Sequence, residues 1–183
     1  MSVSRLCQLQ HQIAACRKCT ELSNHSKFPP ECHGTTRFGI MLVSEGAYLP
    51  SIQAGRYFTR GNLRDAIPNL EEFCYLTDVI KCDSSCGKSE NLAQKCFPYL
   101  AEEIALIKPS AILAVGALPF KMLTGITGGF SGRHGQRNKY FYNRAIEVIP
   151  IIHPSWANKY YPVEPKVYKY KESVRNIVMG LAG

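Results

Sequence analysis

Apolar positions along the chain fall into two kinds of run. Four runs are short and almost continuous: FGIMLVS (38–44), FCYLTDVI (73–80), SAILAVG (110–116) and AIEVIPII (145–152). None alternates cleanly with polar residues, so each predicts a strand covered on both faces rather than one with a wet side. Elsewhere the period lengthens to that of a helix. Leu6, Leu9, Ile13 and Cys16 recur at helical spacing over residues 3–16, with Ser2 or Ser4 as a cap. Leu63 and Ile67 stand one turn apart within 60–67, ahead of Pro68. Leu92, Cys96, Leu100 and Ile104 mark a long helix from Ser89 to Ile107, which Pro98 is expected to kink or restart. Two more helices are predicted, one beginning near Ala117 and one over residues 165–179. Residues 23–37 and 131–139 read as loops.

Strands that alternate with helices predict an α/β fold, three layers deep (αβα), around a central and mainly parallel four-stranded sheet. No repeat, low-complexity tract or linker divides the sequence, so residues 1–183 are expected to form a single domain. In such sheets ligands bind at the carboxyl ends of the strands. The expected tips are Ser44-Glu45, Asp78 to Lys81, Gly116 and His153.

Composition narrows the class. No apolar run approaches membrane length, and MSVSRLCQLQHQ lacks a signal-peptide core, so a soluble, cytoplasmic and monomeric protein is expected. A formal net charge of +8 favours an anionic partner such as nucleic acid, although a merely soluble basic protein carries the same charge. Eight cysteines in a chain without a sign of secretion point to thiolate ligation of a metal or cluster rather than to disulfides. CRKC supplies Cys16 and Cys19, and KCDSSCGKSENLAQKC supplies Cys82, Cys86 and Cys96. Spacing alone does not separate zinc from iron–sulfur. Cys7 and Cys74 lie in apolar runs and read as core thiols.

Five motifs, in order, resemble the uracil-DNA glycosylase superfamily, and within it the iron–sulfur-containing fourth family. CRKCTEL is similar to that family's opening CxxCxL, and MLVSEGAYLPSIQAGRYF to its first motif, a strand followed by GEAPG and GRPF. YLTDVIKC resembles the strand ending in N-V-x-K-C, CFPYL the next cysteine helix, and IPIIHPS the terminal H-P-S. The resemblance spans residues 16–155. It implies a four-iron four-sulfur cluster on Cys16, Cys19, Cys82 and Cys96, with Cys86 the rival for Cys82 and zinc the lesser alternative. It also implies a monofunctional glycosylase that excises uracil, or another deaminated base, from DNA in base-excision repair.

Residue roles follow from the same resemblance. Phe58 would stack on a base swung out of the helix, where spacing alone reads an ordinary core phenylalanine. His153 would donate a hydrogen bond to the base O2 as negative charge develops there; the plainer reading is a turn histidine. Ser155 would hold a phosphate, and Lys159 in WANKYY would grip the backbone beside wedging aromatics. Glu45 would orient water and stabilise a positively charged sugar, where otherwise a surface strand-end acid is expected. Arg133, His134, Arg137 and Lys139 form a basic loop suited to phosphate, or simply to solvent. Lys81 reads as structural, so no Schiff base is expected.

Three departures stand out. Ser44, Gly46 and Ala47 replace the residues that flank the family's acid. Tyr48 stands at the register where the classical first family places the tyrosine of GQDPYH, which blocks the thymine methyl. Asp78 replaces the Asn that reads the base edge; an ionised Asp only accepts hydrogen bonds, whereas a protonated one mimics Asn, and burial favours the neutral form. These departures support one rival, a weak or silent cluster-bearing DNA-binding relative. A cluster-based redox sensor is the other, and it leaves the H-P-S unexplained.

Overall fold

Five strands form one sheet in the computed structural model, which describes residues 2–183 apart from 23, 60–61, 85–86, 88 and 157–165. They are β1 (Ile40–Ala47), β2 (Tyr75–Asp83), β3 (Ala111–Val115), β4 (Asn138–Lys139) and β5 (Glu147–Ile151), in the order β2-β1-β3-β5-β4. Every pairing is parallel except the short antiparallel β4–β5 edge. That edge strand corrects the expected four-stranded sheet. Two residues are too few to leave a hydrophobic period in a sequence.

The helices are α1 (Ser2–Ala15), α2 (Leu49–Gln53), α3 (Asn62–Ala66), α4 (Glu90–Ile107), α5 (Ala117–Thr124) and α6 (Lys166–Ala182). Alternate residues of the strands serve two different cores. Leu42, Leu76, Leu113 and Ile149 pack against Leu63 of α3 and Tyr170, Val174 and Val178 of α6. Met41, Val43, Ile112 and Val148 face Leu92, Leu100 and Ile104 of α4 with Phe120 and Leu123 of α5. Both faces are dry, which is why the strands read as unbroken apolar runs.

Local chemistry sets the element ends. The Ser89 hydroxyl caps α4 by accepting the Leu92 N–H at 3.2 Å, and Lys108 ends the helix in the left-handed region. Pro98 neither breaks nor restarts α4, which runs unbroken to Ile107. Cys7 is exposed, not a core thiol, because Leu6, Leu9 and Ile13 take the inward stripe of α1 and leave the adjacent position turned out. Cys74 is buried as expected, and burial pushes its thiol up to about 12. Two strands outrun their apolar cores. β1 continues through Glu45 to Ala47, and β2 carries Lys81, Cys82 and Asp83 within the strand.

Lys81 is tolerated because a partner is built opposite it. Its ammonium lies 2.5 Å from Glu103 on α4 and donates to the Thr77 hydroxyl at 2.6 Å. Glu103 also accepts from Thr77 and, at 3.0 Å, from the Tyr75 hydroxyl, so a fully buried carboxylate is ringed by donors. Removing one member strands the other charge in a dry core. Glu103→Leu should therefore cost about 3–5 kcal/mol in denaturant unfolding, and Lys81→Met in the same background should recover much of it. A single variant as stable as the wild type contradicts the pairing.

Candidate active site

β1 carries its chemistry on two consecutive residues. Ser44 is opposite Asp78 in the β1–β2 register, and its hydroxyl donates to Asp78 Oδ1 in a short, buried hydrogen bond. Glu45, the next residue, turns to the other side and lines a cleft of about 590 Å³. A register shift then separates Gly46, opposite Ile80, from Ala47, opposite Asp83.

The cleft brings Glu45 and His153 together with Gly116, Ile152, Trp156 and the loop from Ile126 to Ser131. His153 follows β5, and its exit from the strand is pinned at both polar groups of Ile152. The Ile152 N–H donates to His134 Nδ1 at 3.2 Å, and the Ile152 carbonyl accepts the Tyr170 hydroxyl at 2.8 Å. Beyond it, the Ser155 backbone N–H donates to His153 Nδ1 at 3.2 Å, and the Ser155 hydroxyl lies 2.7 Å from the same nitrogen. An Nδ1 that accepts leaves the proton of a neutral ring on Nε2, so the imidazole carries an N–H donor there. Trp156 is half exposed at the rim, with its backbone N–H on the His153 carbonyl.

The remaining expected residues do not line this cleft. Asp78 is buried beneath the sheet edge beside Ser44. Phe58 is half-buried after α2 and leans on Tyr57, whose ring stacks on Phe28. Burial, and then the nearby Asp78 carboxyl, pushes the Tyr57 phenol well up. Tyr48 precedes α2 and is 55% exposed. In the basic loop, His134 is a structural acceptor that burial keeps neutral, while Arg137 and Lys139 both pair with Glu147. Arg133 is different: its Nε is buried with no hydrogen-bond partner among the described residues. Lys159 lies outside the described residues.

Four thiols gather on the far side of β2. Cys16 and Cys19 follow α1, Cys82 lies near the end of β2, and Cys96 is on α4; Cys19, Cys82 and Cys96 are buried. Burial raises the pKa of these three, and each is raised further by neighbouring cysteines of the four. Burial also opposes ionisation of Cys16, but hydrogen bonds from the Lys18 backbone and Tyr99, with the charges of Lys27 and Lys18, outweigh it and lower the pKa. Lys27 is anchored there by bonds of 2.9 Å to the Cys16 and His25 carbonyls. All of the described cysteines are free thiols, and no three metal-binding side chains among the described residues converge closely enough to hold an ion. Cys86 lies outside the described residues.

Two features of the cleft were not singled out by sequence pattern. The loop over residues 126–131 has no ionisable side chain to draw notice; its signal is the pair Gly128-Gly129, both at positive φ. Gly116 is the other, expected only as a strand tip.

Comparison with known proteins bears on this arrangement. The family model described as Uracil DNA glycosylase superfamily matches residues 33–177. A protein of Pyrobaculum aerophilum named type-4 uracil-DNA glycosylase is 27% identical over 161 residues, which is 81% of this chain and 82% of that protein.

Gly116 determines where the Glu45 carboxylate sits. Its φ is +108°, and a Cβ there would stand 2.5 Å from Glu45 Oε1 and 2.9 Å from Glu45 Cγ. The acid therefore lies directly against backbone, in space that a side chain would fill. Gly116→Ala should displace the carboxylate and cost about 1–3 kcal/mol through backbone strain. Thermal unfolding and a structure of the variant check this; unchanged stability with Glu45 unmoved contradicts it.

Proposed function

The chain belongs to the uracil-DNA glycosylase superfamily, and we propose from this that it hydrolyses the N-glycosidic bond of uracil, or of another deaminated base, in DNA. The observation that carries the reading is the shared cleft, lined by an acid from β1 and by the histidine that follows β5. Those are the two groups that heterolysis of a glycosidic bond calls for. The sugar becomes electron-poor and the departing base electron-rich, so each needs its own stabiliser.

In this reading His153 donates from Nε2 to the base O2 as charge accumulates there. Ser155 keeps Nδ1 occupied, and with it the ring's orientation and tautomer. Glu45 faces the sugar, balances its positive charge and orients the attacking water. Phe58 stacks on the extruded base and Asp78 reads its edge, with the Ser44 hydroxyl fixing one carboxyl oxygen. Tyr48 gates against the thymine methyl. Trp156, Lys159 and Arg133 would meet the duplex, where backbone contacts position it without reading sequence.

The four thiols suit a four-iron four-sulfur cluster in kind and in place. They come from the segment after α1, from β2 and from α4, and are free of disulfides. Cys16, Cys19, Cys82 and Cys96 would hold it, tying the first helix to β2 and α4. Its chemistry there is structural.

Duplexes bearing uracil, hypoxanthine, xanthine or a thymine mismatch, treated with the protein and then alkali, test the activity. Cleavage at uracil is expected, His153→Ala should lower it about 10²–10³-fold, and Tyr48→Ala should extend it to thymine. Binding without cleavage would instead indicate a silent relative, and neither would indicate a redox protein. Anaerobically purified protein should be brown with iron and sulfide bound, and Cys96→Ala should bleach it. Stoichiometric zinc without colour contradicts the cluster.

A further inference from the structure

Phe58 is held in an unfavourable backbone conformation, and a single buried side chain holds it there. Among the described residues only Phe58 and Lys108 take positive φ without being glycine, at 49° and 52°. Lys108 ends a helix, where the left-handed region is routine. Phe58 ends no helix; an aromatic residue stays in this region only when its surroundings over-determine it.

One guanidinium holds the carbonyls of this turn. Arg64, 8% exposed, lies on α3 six residues beyond Phe58. Its Nε donates to the Phe58 carbonyl at 3.2 Å, and one terminal nitrogen donates to the Tyr57 carbonyl in a short hydrogen bond. The other terminal nitrogen donates to the Pro68 carbonyl at 2.8 Å. Both terminal nitrogens also meet Glu71, each at 2.6 Å. All five N–H groups are thereby used, in the planar fork that only arginine offers. Glu71 secures the same turn from its other end by accepting from Arg56 at 3.3 Å. Burial works to raise the Glu71 carboxyl, but Arg64 and then Arg56 outweigh it and keep it below its ordinary range. The Tyr57 ring is stacked on Phe28 with centroids 3.7 Å apart, so both the carbonyls and the preceding ring of this turn are fixed.

We propose that Arg64, locked by Glu71, is a positioning residue that holds the Phe58 ring where it stacks on the substrate base. This rests on the reading of Phe58 as the stacking residue. Arg64 touches no substrate; it acts through the two carbonyls and the positive-φ turn. Preorganisation of this kind matters because a displacement of about 1 Å at a substrate-contacting group can cost on the order of 100-fold in rate.

The test uses Arg64→Lys, which keeps the charge and loses the fork, in the wild-type and Phe58→Ala backgrounds. The first readout needs no substrate: trypsin cleavage at the Arg56–Tyr57 bond in the folded protein should become faster, and an unchanged rate overturns the proposal. The second is a double-mutant cycle on kcat/KM for uracil excision, paired with the Kd for an oligonucleotide carrying non-hydrolysable 2′-fluorinated deoxyuridine. Arg64→Lys should lower kcat/KM about 10–100-fold in the wild-type background and cause little further loss in the Phe58→Ala protein. Equal losses in the two backgrounds overturn the proposal, because a merely structural arginine would act regardless of the ring. If Arg64→Lys does not fold, Glu71→Gln, which leaves every Arg64 donor in place, is measured in the same way. A wild-type protein that neither excises uracil nor prefers the fluorinated strand defeats the functional reading, and trypsin still decides whether Arg64 holds the turn.

Discussion

Parallel pairing of β1 with β2 on one side and β3 on the other is the constraint from which the site follows. β1 is covered on both faces and hydrogen-bonded at both edges, so its register cannot slip without moving two cores at once. That register sets Ser44 opposite Asp78 and carries Glu45 one residue further, beside Gly116 at the end of β3. The pleat then sends Ser44 and Glu45 to opposite sides. A single strand thus fixes both Asp78, through Ser44, and Glu45, and neither can shift independently of the other.

β2 resolves a harder problem. It is an edge strand, yet all of its residues from Tyr75 to Asp83 are buried, including two acids and a lysine. The polar residues are made tolerable by partners on different sides: Glu103 of α4 for Lys81, Ser44 for Asp78, and Asn24 for Asp83. Cys82 lies in the same stretch and faces the thiols of α4 and of the segment after α1. The strand therefore connects the proposed cluster to the proposed base pocket through a few residues of rigid backbone. That proximity gives the cluster a structural rationale without any part in bond breaking.

How legible the molecule was in its sequence depended on whether a feature had a period or a motif. The apolar runs predicted the parallel strands, because burial on both faces leaves no polar interruptions. β4 was too short to be visible, and Pro98 does not restart α4, because the packing of that helix outweighs a single missing hydrogen bond. Glu45 and His153 were legible as residues at the ends of buried strands, and the structure brings them to one cleft. Arg64 and Gly116 were not legible. What makes them matter is a set of carbonyls and a carboxylate brought near by tertiary folding, and no local pattern encodes that. In the basic loop, suited by sequence to phosphate or simply to solvent, His134 accepts from the Ile152 N–H and Arg137 pairs with Glu147.

The chemistry assigned to the cleft is attack by water on the sugar while the intact base departs. Reaction of uracil-containing DNA in water enriched in the heavy oxygen isotope, followed by mass spectrometry of both products, reads this directly. Free uracil should be released unlabelled, leaving an abasic sugar. Heavy oxygen in the base, or a base modified but still attached, would show that the cleft acts on the base ring instead of the glycosidic bond.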